Sequence, residues 1–464
     1  MNRINKSDFK EGKAKKETTD LTKGNPMKQI FLFALPLVFG TLFQQLYSFV
    51  DTIIIGRCLG ETALAAVGVT YSLSFLVLGF IQGCTVGFGV PISQSFGAGE
   101  QQEVHRYIWN GIWLCVVISI VFTIVTVLLT DPLLTLIQTP DDILLLAARY
   151  IRIIFLGIPL TVLYNFSSSI LRALGDSQRP FYHLLLSSGL NIVLDILFVA
   201  ILPFGVVGAA AATIISQGIS GVLNVYSLVA KTAYFRYIKE ETKFSQKHAK
   251  RLCVIGLPMG FEYSVSAIGA VIMQYAINSL GSAAIAGQTA GEKIRQMFTL
   301  PMESVGMAMA TYAAQNYGAK RMDRIKKGIR DGLCIQYLYC IASFIVIFFG
   351  KNVFVGFVLG ETQSETAKYA VEYLSRISTL FCLHGTLMIL RNTLQGMGHS
   401  VQAIISGFGE LLGRSIGAWL SVGIGLGFLA ICYSNPLAWG ISLTYCVVML
   451  AWHLSRASSK ESKK

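Results

Sequence analysis

Charged residues are scarce in this chain of 464 residues. Asp, Glu, Lys and Arg make up 14% of the sequence, whereas an average soluble domain has about 25%. So few charges cannot cover the water-exposed surface of so long a chain, which excludes soluble enzymes, coiled coils and disordered scaffolds. Apolar residues instead fall in blocks of about 20, the length of a membrane-spanning helix. These blocks also exclude an outer-membrane barrel, whose alternating strands have only about 10 residues.

Motifs for bond-making chemistry are missing as well. The sequence contains no GxxxxGK[ST] loop of a P-loop ATPase, no HExxH and no GxSxG. Its nine cysteines form no CxxC pair and mostly lie in apolar blocks, which favours packing as small hydrophobic side chains over disulfides or zinc binding. We therefore expect neither an enzyme nor a cofactor. Transport against a concentration gradient would have to be driven by an ion gradient or by a separate subunit, and no ATPase subunit is evident.

Twelve apolar blocks predict an all-α polytopic membrane protein. The polar tail before them lacks the short apolar core and cleavage site of a signal peptide. Several blocks exceed about 25 residues, and we expect breaks at Pro36, Pro91, Pro159, Pro258 and Pro301, where freed backbone groups need new partners. The blocks run over approximately 27–55, 63–95, 107–130, 143–170, 181–202, 205–231, 250–279, 283–317, 329–350, 368–394, 401–424 and 436–455.

Positive charge predicts the orientation of these spans. With the N-terminus in the cytoplasm, most of the 38 Lys and Arg residues fall in the tail, the even-numbered loops and the C-terminus, as the positive-inside rule requires. The net charge of +13 therefore reflects the orientation of the spans, and we expect its basic residues to contact anionic lipid. It does not indicate a nucleic-acid-binding protein. We expect a multi-pass protein of the cell membrane with both termini cytoplasmic.

The chain repeats itself at an offset of about 220 residues. Leu35-Pro36 returns as Leu257-Pro258, and Gln94–Ala98 returns as Gln315–Ala319. Each half has six spans, so both halves start on the inner side and the repeat is parallel, a plan typical of alternating-access transporters. The internal duplication predicts a functional monomer. The predicted regions are a cytoplasmic tail 1–26, a first bundle 27–231, a basic linker 232–249, a second bundle 250–455 and a cytoplasmic tail 456–464.

Carboxylates within the spans of the first half mark its candidate machinery, because each costs roughly 2.5–3.5 kcal/mol at a helix centre. Helical spacing gives three polar faces, formed by Gln44, Tyr47 and Asp51 on helix 1, Asn191 and Asp195 on helix 5, and Thr213 on helix 6. These faces predict a shared internal pocket. The two carboxylates would repel, so we expect them to hold a proton or to share a cation. A satisfied structural hydrogen-bond network is the alternative.

The second half has acids at membrane depth too, at Glu262, Glu292, Glu303 and Glu410. The i,i+4 spacing of Glu410 and Arg414 predicts that they pair with each other. For Glu262 and Glu410 an internal salt bridge and a substrate contact are both open. His384 lies in the middle of helix 10, where a structural and a functional role are both open, and the roles of Glu292 and Glu303 are undecided.

Several of these runs resemble one known transporter family. Pro36–Thr52 is similar to the first helix of the multidrug and toxic compound extrusion (MATE) family. Further similar runs are Leu64–Gly68, Leu171–Asp176, Asn191–Asp195, Gly208–Thr213, Leu300–Met302 and Gln315–Ala319. The resemblance covers about 27–455 and implies twelve helices in two six-helix bundles.

The resemblance also implies a function and a set of site residues. Members of the family export bulky, often cationic compounds in exchange for H⁺ or Na⁺. The family's cation site corresponds here to Asp51, Asn191, Asp195 and Thr213. Residues expected in or just behind the substrate cleft are Gln44, Tyr47, Asn165, Glu262, His384, Glu410 and Arg414. His384 stands where some Na⁺-coupled members carry an aspartate. This difference argues against a sodium site in the second half and favours the acids of the first half as the cation site.

The leading hypothesis is thus an antiporter for a small organic substrate, coupled to H⁺ or Na⁺ and embedded in the lipid bilayer. The first alternative is a flippase for lipid-linked precursors or polysaccharides, which shares the twelve-helix plan. Such a flippase needs a large basic cleft, whereas the charges at membrane depth lean acidic. The second alternative is an intramembrane enzyme or receptor, and the missing catalytic motifs argue against the enzyme.

Overall fold

The computed structural model describes residues 19–235, 238 and 240–461, so most of the predicted tail 1–26 lies outside the described residues. Over the described residues the chain is helical and has no strand. The first lobe contains α1 (Pro26–Leu59), α2 (Glu61–Val69), α3 (Tyr71–Gly97), α4 (Gln101–Leu128), α5 (Thr130–Leu136), α6 (Asp141–Leu156), α7 (Ile158–Ala173), α8 (Gln178–Asp195) and α9 (Gly205–Lys231). The second lobe contains α10 (Gln246–Asn278), α11 (Ser282–Gly318), α12 (Met322–Leu359), α13 (Glu365–Ile377), α14 (Phe381–Gly396), α15 (Ser400–Val422) and α16 (Phe428–Glu461).

These helices form the twelve predicted spans. Within the described residues nine segments are long and apolar enough to cross a bilayer, and α6 with α7 makes a tenth that bends by 46°. Helices α11 and α15, of 37 and 23 residues, complete the set and carry charged side chains. The predicted fold class, an all-α polytopic membrane protein with two six-helix bundles, is confirmed.

The expected proline breaks are wrong at four of five positions. Pro36, Pro91, Pro258 and Pro301 lie inside continuous helices. A proline removes one backbone hydrogen bond, and membrane helices tolerate this loss where neighbouring helices or small backbone adjustments satisfy the freed carbonyl. Pro159 fits the expectation, because it stands at the start of α7, just after the bend.

Both lobes meet at the end of the bundle where α1 begins, which we call the termini face. Residues just before α1 lie there against the second lobe: the Arg324 guanidinium donates to the carbonyl oxygens of Gly24 and Leu21, at 2.9 and 3.1 Å. Thr19 N also donates to Gly175 O of the first lobe at 3.2 Å. The chain before α1 therefore ties the two lobes together.

Glycines bring the lobes into direct backbone contact near this face. A Cβ atom on Gly97 at the end of α3 would lie 2.0 Å from Gln315 O, and one on Gly318 at the end of α11 would lie 1.8 Å from Gln94 O. Tyr71 and Tyr275, toward the other ends of α3 and α10, are exposed. The described structure is thus closed at the termini face.

Two glutamines link the lobes in a symmetric way. Gln94 Nε2 of the first lobe donates to Gly396 O of the second at 2.9 Å, and Gln315 Nε2 of the second donates to Ala173 O of the first at 3.0 Å. The two glutamines are equivalent positions of the internal repeat. We call these two hydrogen bonds the glutamine latch.

Candidate cation site and charge network

A small polar cavity lies in the first lobe between α1, α7, α8 and α9. Gln44, Tyr47, Asn191 and Thr213, all expected site residues, line it, together with Tyr164. Its volume is about 20 Å³, and a cavity above roughly 10–15 Å³ holds one water molecule. The space therefore fits a water molecule or a small cation and is far too small for a drug.

The two predicted carboxylates lie next to this cavity. Asp51 follows Tyr47 by one turn of α1, and Asp195 follows Asn191 by one turn of α8. Asp51 and Asp195 are close enough to interact directly. Asp195 is the last residue of α8, and a π-helical turn, Ile196–Ile201, follows it at once.

Several buried polar atoms at this site have no hydrogen-bond partner outside the aspartate pair. Among the described residues no other group bonds to Asp51 Oδ1 or to either carboxylate oxygen of Asp195, and none bonds to the side-chain nitrogen and oxygen of Asn191. Each unpaired buried polar group costs about 1–3 kcal/mol, and a charged group costs more. Protein side chains alone therefore do not complete a satisfied hydrogen-bond network, the alternative considered from the sequence.

The remaining expected residues of the first lobe differ in position. The Thr213 hydroxyl donates a hydrogen bond to Ala209 O at 3.1 Å. The lone pairs of the hydroxyl oxygen are not used in this bond. Asn165 is half-buried on α7 and does not line the cavity. Its neighbour Tyr164 does line the cavity. No sequence pattern identifies Tyr164, because the bend at Gly157 sets the rotation of α7.

Acids of the second lobe are paired instead. Arg391 Nη1 lies 3.0 Å from Glu262 Oε1 and 2.6 Å from Glu410 Oε1. Gln395 Nε2 donates to the other oxygen of Glu262 at 2.8 Å. For these two acids the structure therefore contains the internal salt bridge, with Arg391 at its centre.

Arg414 has a different main partner from the predicted one. Its guanidinium lies 3.5 Å from Glu410 but donates to Ser266 O at 3.0 Å. It also donates to Asn435 Oδ1 at 3.2 Å. The i,i+4 pair exists, but Arg391 on α14 approaches Glu410 more closely because two helices cross there.

The network extends to the acids whose roles the sequence left open. Arg295 binds Glu292 through two hydrogen bonds of 2.8 and 2.5 Å, and Tyr373 donates to Glu292 at 2.5 Å. His384 Nε2 is 3.8 Å from Glu303, and its ring packs on Trp439. Arg295 and Tyr373 were not among the expected residues, because their partners are brought together only by helix packing.

The carboxylates of the two lobes thus differ in their charged partners. Arginines accompany the acids of the second lobe, whereas no Lys or Arg among the described residues pairs with Asp51 or Asp195. No group of three or more His, Cys, Asp or Glu that would hold a metal ion occurs in the described part of the chain. All nine cysteines are free, and five of them are buried.

Comparison with known families agrees with this architecture. The MatE family profile matches residues 36–197 and 258–420, one segment in each lobe. The chain belongs to the MATE family. It is therefore a multi-pass membrane transporter of that family.

Named relatives of this MATE protein are bacterial. It is 29% identical over 387 residues to the probable multidrug resistance protein YpnP of Bacillus subtilis, covering 83% of this chain and 86% of the relative. It is 24% identical over 392 residues to the multidrug export protein MepA of Staphylococcus haemolyticus, covering 82% and 84%. It is 23% identical over 387 residues to the probable multidrug resistance protein NorM of Thermotoga maritima, covering 82% of each.

Solved structures share the fold. One described as the outward-facing conformation of a multidrug resistance MATE family transporter superposes with a TM-score of 0.88 at 23% identity, covering 96% of this chain and 99% of that one. A transporter of the same superfamily from Pyrococcus furiosus, described as having a binding pocket of reverse polarity, superposes with a TM-score of 0.87 at 23% identity and the same coverage. At these identities the likeness concerns the fold.

Proposed function

We propose that this MATE protein exports drugs or other toxic organic compounds, cationic ones among them, in exchange for H⁺ or Na⁺. The observation that carries the proposal is the pair of half-buried Asp51 and buried Asp195, which has no arginine and no other described side chain as partner, beside a cavity the size of one small cation. Unpaired buried charge needs a proton or a cation. The names of the relatives support drugs as the exported class.

In the proposed mechanism the cation acts on α1. A bound proton or Na⁺ reduces the repulsion between Asp51 and Asp195. Helix α1 carries Asp51 in its last third, while Ile30, Phe33 and Leu37 near its start pack in the core of the second lobe. A change at Asp51 is therefore transmitted to the contact between the lobes.

Substrate and cation compete in this mechanism. A cationic drug prefers a cleft whose acids are ionised, and the entering cation removes that preference, so the drug leaves as the cation binds. The positive-inside pattern supports cytoplasmic termini, which makes the closed termini face the cytoplasmic one. The cleft then opens outward in the described form. One chain carries both lobes, and we propose that it works as a monomer.

A flippase is the less favoured function. It needs free basic groups in its cleft, but Arg391, Arg295 and Arg414 are all engaged with acids.

Gradient-driven efflux of a cationic dye such as ethidium tests the antiport. Purified protein is reconstituted in proteoliposomes, and Na⁺ and H⁺ gradients are imposed separately to identify the coupling ion. We expect Asp51→Asn and Asp195→Asn each to abolish efflux driven by that ion. Asp142→Asn, at an exposed acid in the first turn of α6, is the matched control and retains efflux. Intact efflux in both Asp51→Asn and Asp195→Asn would exclude the mechanism.

A further inference from the structure

A second and much larger cavity lies at the termini face, outside the cation site. Its volume is about 960 Å³, and it forms a groove between the starts of α1 and α8. The chain before α1 provides one wall through Thr19 and Gly24. Because Arg324 holds Gly24, Leu21 and Lys23 by their carbonyl oxygens, that wall is fixed in place.

The groove changes from polar to apolar along its length. On α1 the lining residues Asn25, Lys28 and Gln29 precede Leu32 and Pro36. Eight residues of helix separate Lys28 from Pro36, which is about 12 Å along the axis. On α8 Gln178 and Arg179 precede Tyr182 in the same direction. Since both helices begin at the termini face, their polar ends lie at the same level.

The polar end of the groove is basic. No carboxylate among the described residues pairs with the exposed Lys28. Arg179 lies 3.2 Å from Asp176, whose carboxylate also accepts from the backbone N–H groups of Gln178 and Arg179. The single acid lining this end is thus neutralised within the protein, and the lysine charge is left over.

We propose that this groove binds one anionic phospholipid, with its phosphate at Lys28 and its acyl chains along Leu32, Pro36 and Tyr182. A basic end at the membrane surface followed by an apolar end matches the order of groups in such a lipid. Lysine with its apolar stem along the groove and tyrosine at the interface are typical of this level of a membrane. A cationic drug is disfavoured by Lys28.

The site has a consequence for the transport helices. Its two walls are α1 and α8, which carry Asp51 and Asp195 further along. A lipid in the groove therefore contacts both helices of the cation site from the opposite face of the membrane. Lipid binding itself does not require the proposed function to be correct.

Lipid retention by the intact, delipidated protein tests the proposal. Native mass spectrometry in detergent compares dioleoyl phosphatidylglycerol, which is anionic, with dioleoyl phosphatidylcholine, which has the same acyl chains and no net charge. We expect the wild type to retain one phosphatidylglycerol in preference to phosphatidylcholine. Lys28→Glu should weaken retention of phosphatidylglycerol about tenfold and leave phosphatidylcholine unchanged, whereas Tyr182→Ala should weaken both.

Lys327→Glu is the matched control, because Lys327 is exposed near the start of α12 and does not line the groove. It should retain phosphatidylglycerol like the wild type. Equal retention of the two lipids by the wild type, or equal losses in Lys28→Glu and Lys327→Glu, would overturn the proposal. Displacement of the lipid by an equal concentration of glycerol 3-phosphate would assign the groove to a free anion, and displacement by ethidium would assign it to a drug. Both results contradict a phospholipid site.

Discussion

Residues of the same chemical type have different roles here because their surroundings differ. Asp195 and Glu262 are both buried at membrane depth. Arg391 and Gln395 surround Glu262, whereas Asp195 has no partner among the described residues other than Asp51. A buried acid with a full set of partners becomes costly only when a partner is removed, and one without partners needs a ligand. This difference is the reason to place ion coupling in the first lobe.

Arg391 should therefore be a stability residue. Arg391→Met leaves Glu262 buried without a cation and Glu410 with Arg414 alone, and we expect a loss of roughly 3–5 kcal/mol in the free energy of unfolding. Thermal unfolding in detergent measures the loss. Arg152→Met is the control, since Arg152 forms an ion pair with the exposed Asp131, and such pairs contribute about 1 kcal/mol or less.

A combined variant separates lost charge compensation from lost packing. Adding Glu262→Gln to Arg391→Met removes the carboxylate left without a cation, while Glu410 keeps Arg414, so most of the lost stability should return. If the double variant were as unstable as Arg391→Met, the network would contribute through packing alone and this account would be wrong.

At the scale of elements, most spans followed from apolar length, but the behaviour of prolines did not. Pro36 and Pro258 occur at equivalent positions of the repeat inside continuous helices, because tertiary packing overrides the local loss of one hydrogen bond. The i,i+4 spacing of Asn191 and Asp195 predicted their shared face. Nothing local identifies Arg391 as the partner of Glu262, since the two lie far apart in the chain and meet only when α10 and α14 pack.

Close approach of α3 and α11 at the termini face depends on glycine. A Cβ atom on Gly318 would lie 1.8 Å from Gln94 O, so Gly318→Ala must push the two helix ends apart. We expect spin labels at positions 101 and 323, attached in a cysteine-free background, to report a longer distance and a smaller closed population. Gly68→Ala is the control, because no atom outside its own helix lies within 4 Å of a Cβ there. An unchanged distance in Gly318→Ala would mean that this contact does not hold the face closed.

On the scale of the whole molecule, the internal repeat appears as matched contacts between the lobes. The repeat of Gln94 as Gln315 is visible in the sequence, but their function is not, because each side chain bonds to a carbonyl at the end of a helix in the other lobe. Each glutamine also accepts one bond, from Arg251 and from Leu21 N respectively. Alternating access requires both halves of the latch to open together when the termini face opens.

The glutamine latch should stabilise the closed form in two equal parts. Each glutamine makes two hydrogen bonds, and one bond contributes about 1 kcal/mol, so Gln94→Ala and Gln315→Ala should each lower the ratio of closed to open molecules by at least about fivefold, and the double variant by at least about 25-fold. The spin-label pair at positions 101 and 323 gives the two populations. Gln274→Ala is the control, because Gln274 is on the surface and bonds to Asn278 of its own helix. A double variant no more open than either single one would show that only one half of the latch holds the face closed, contrary to the symmetric arrangement.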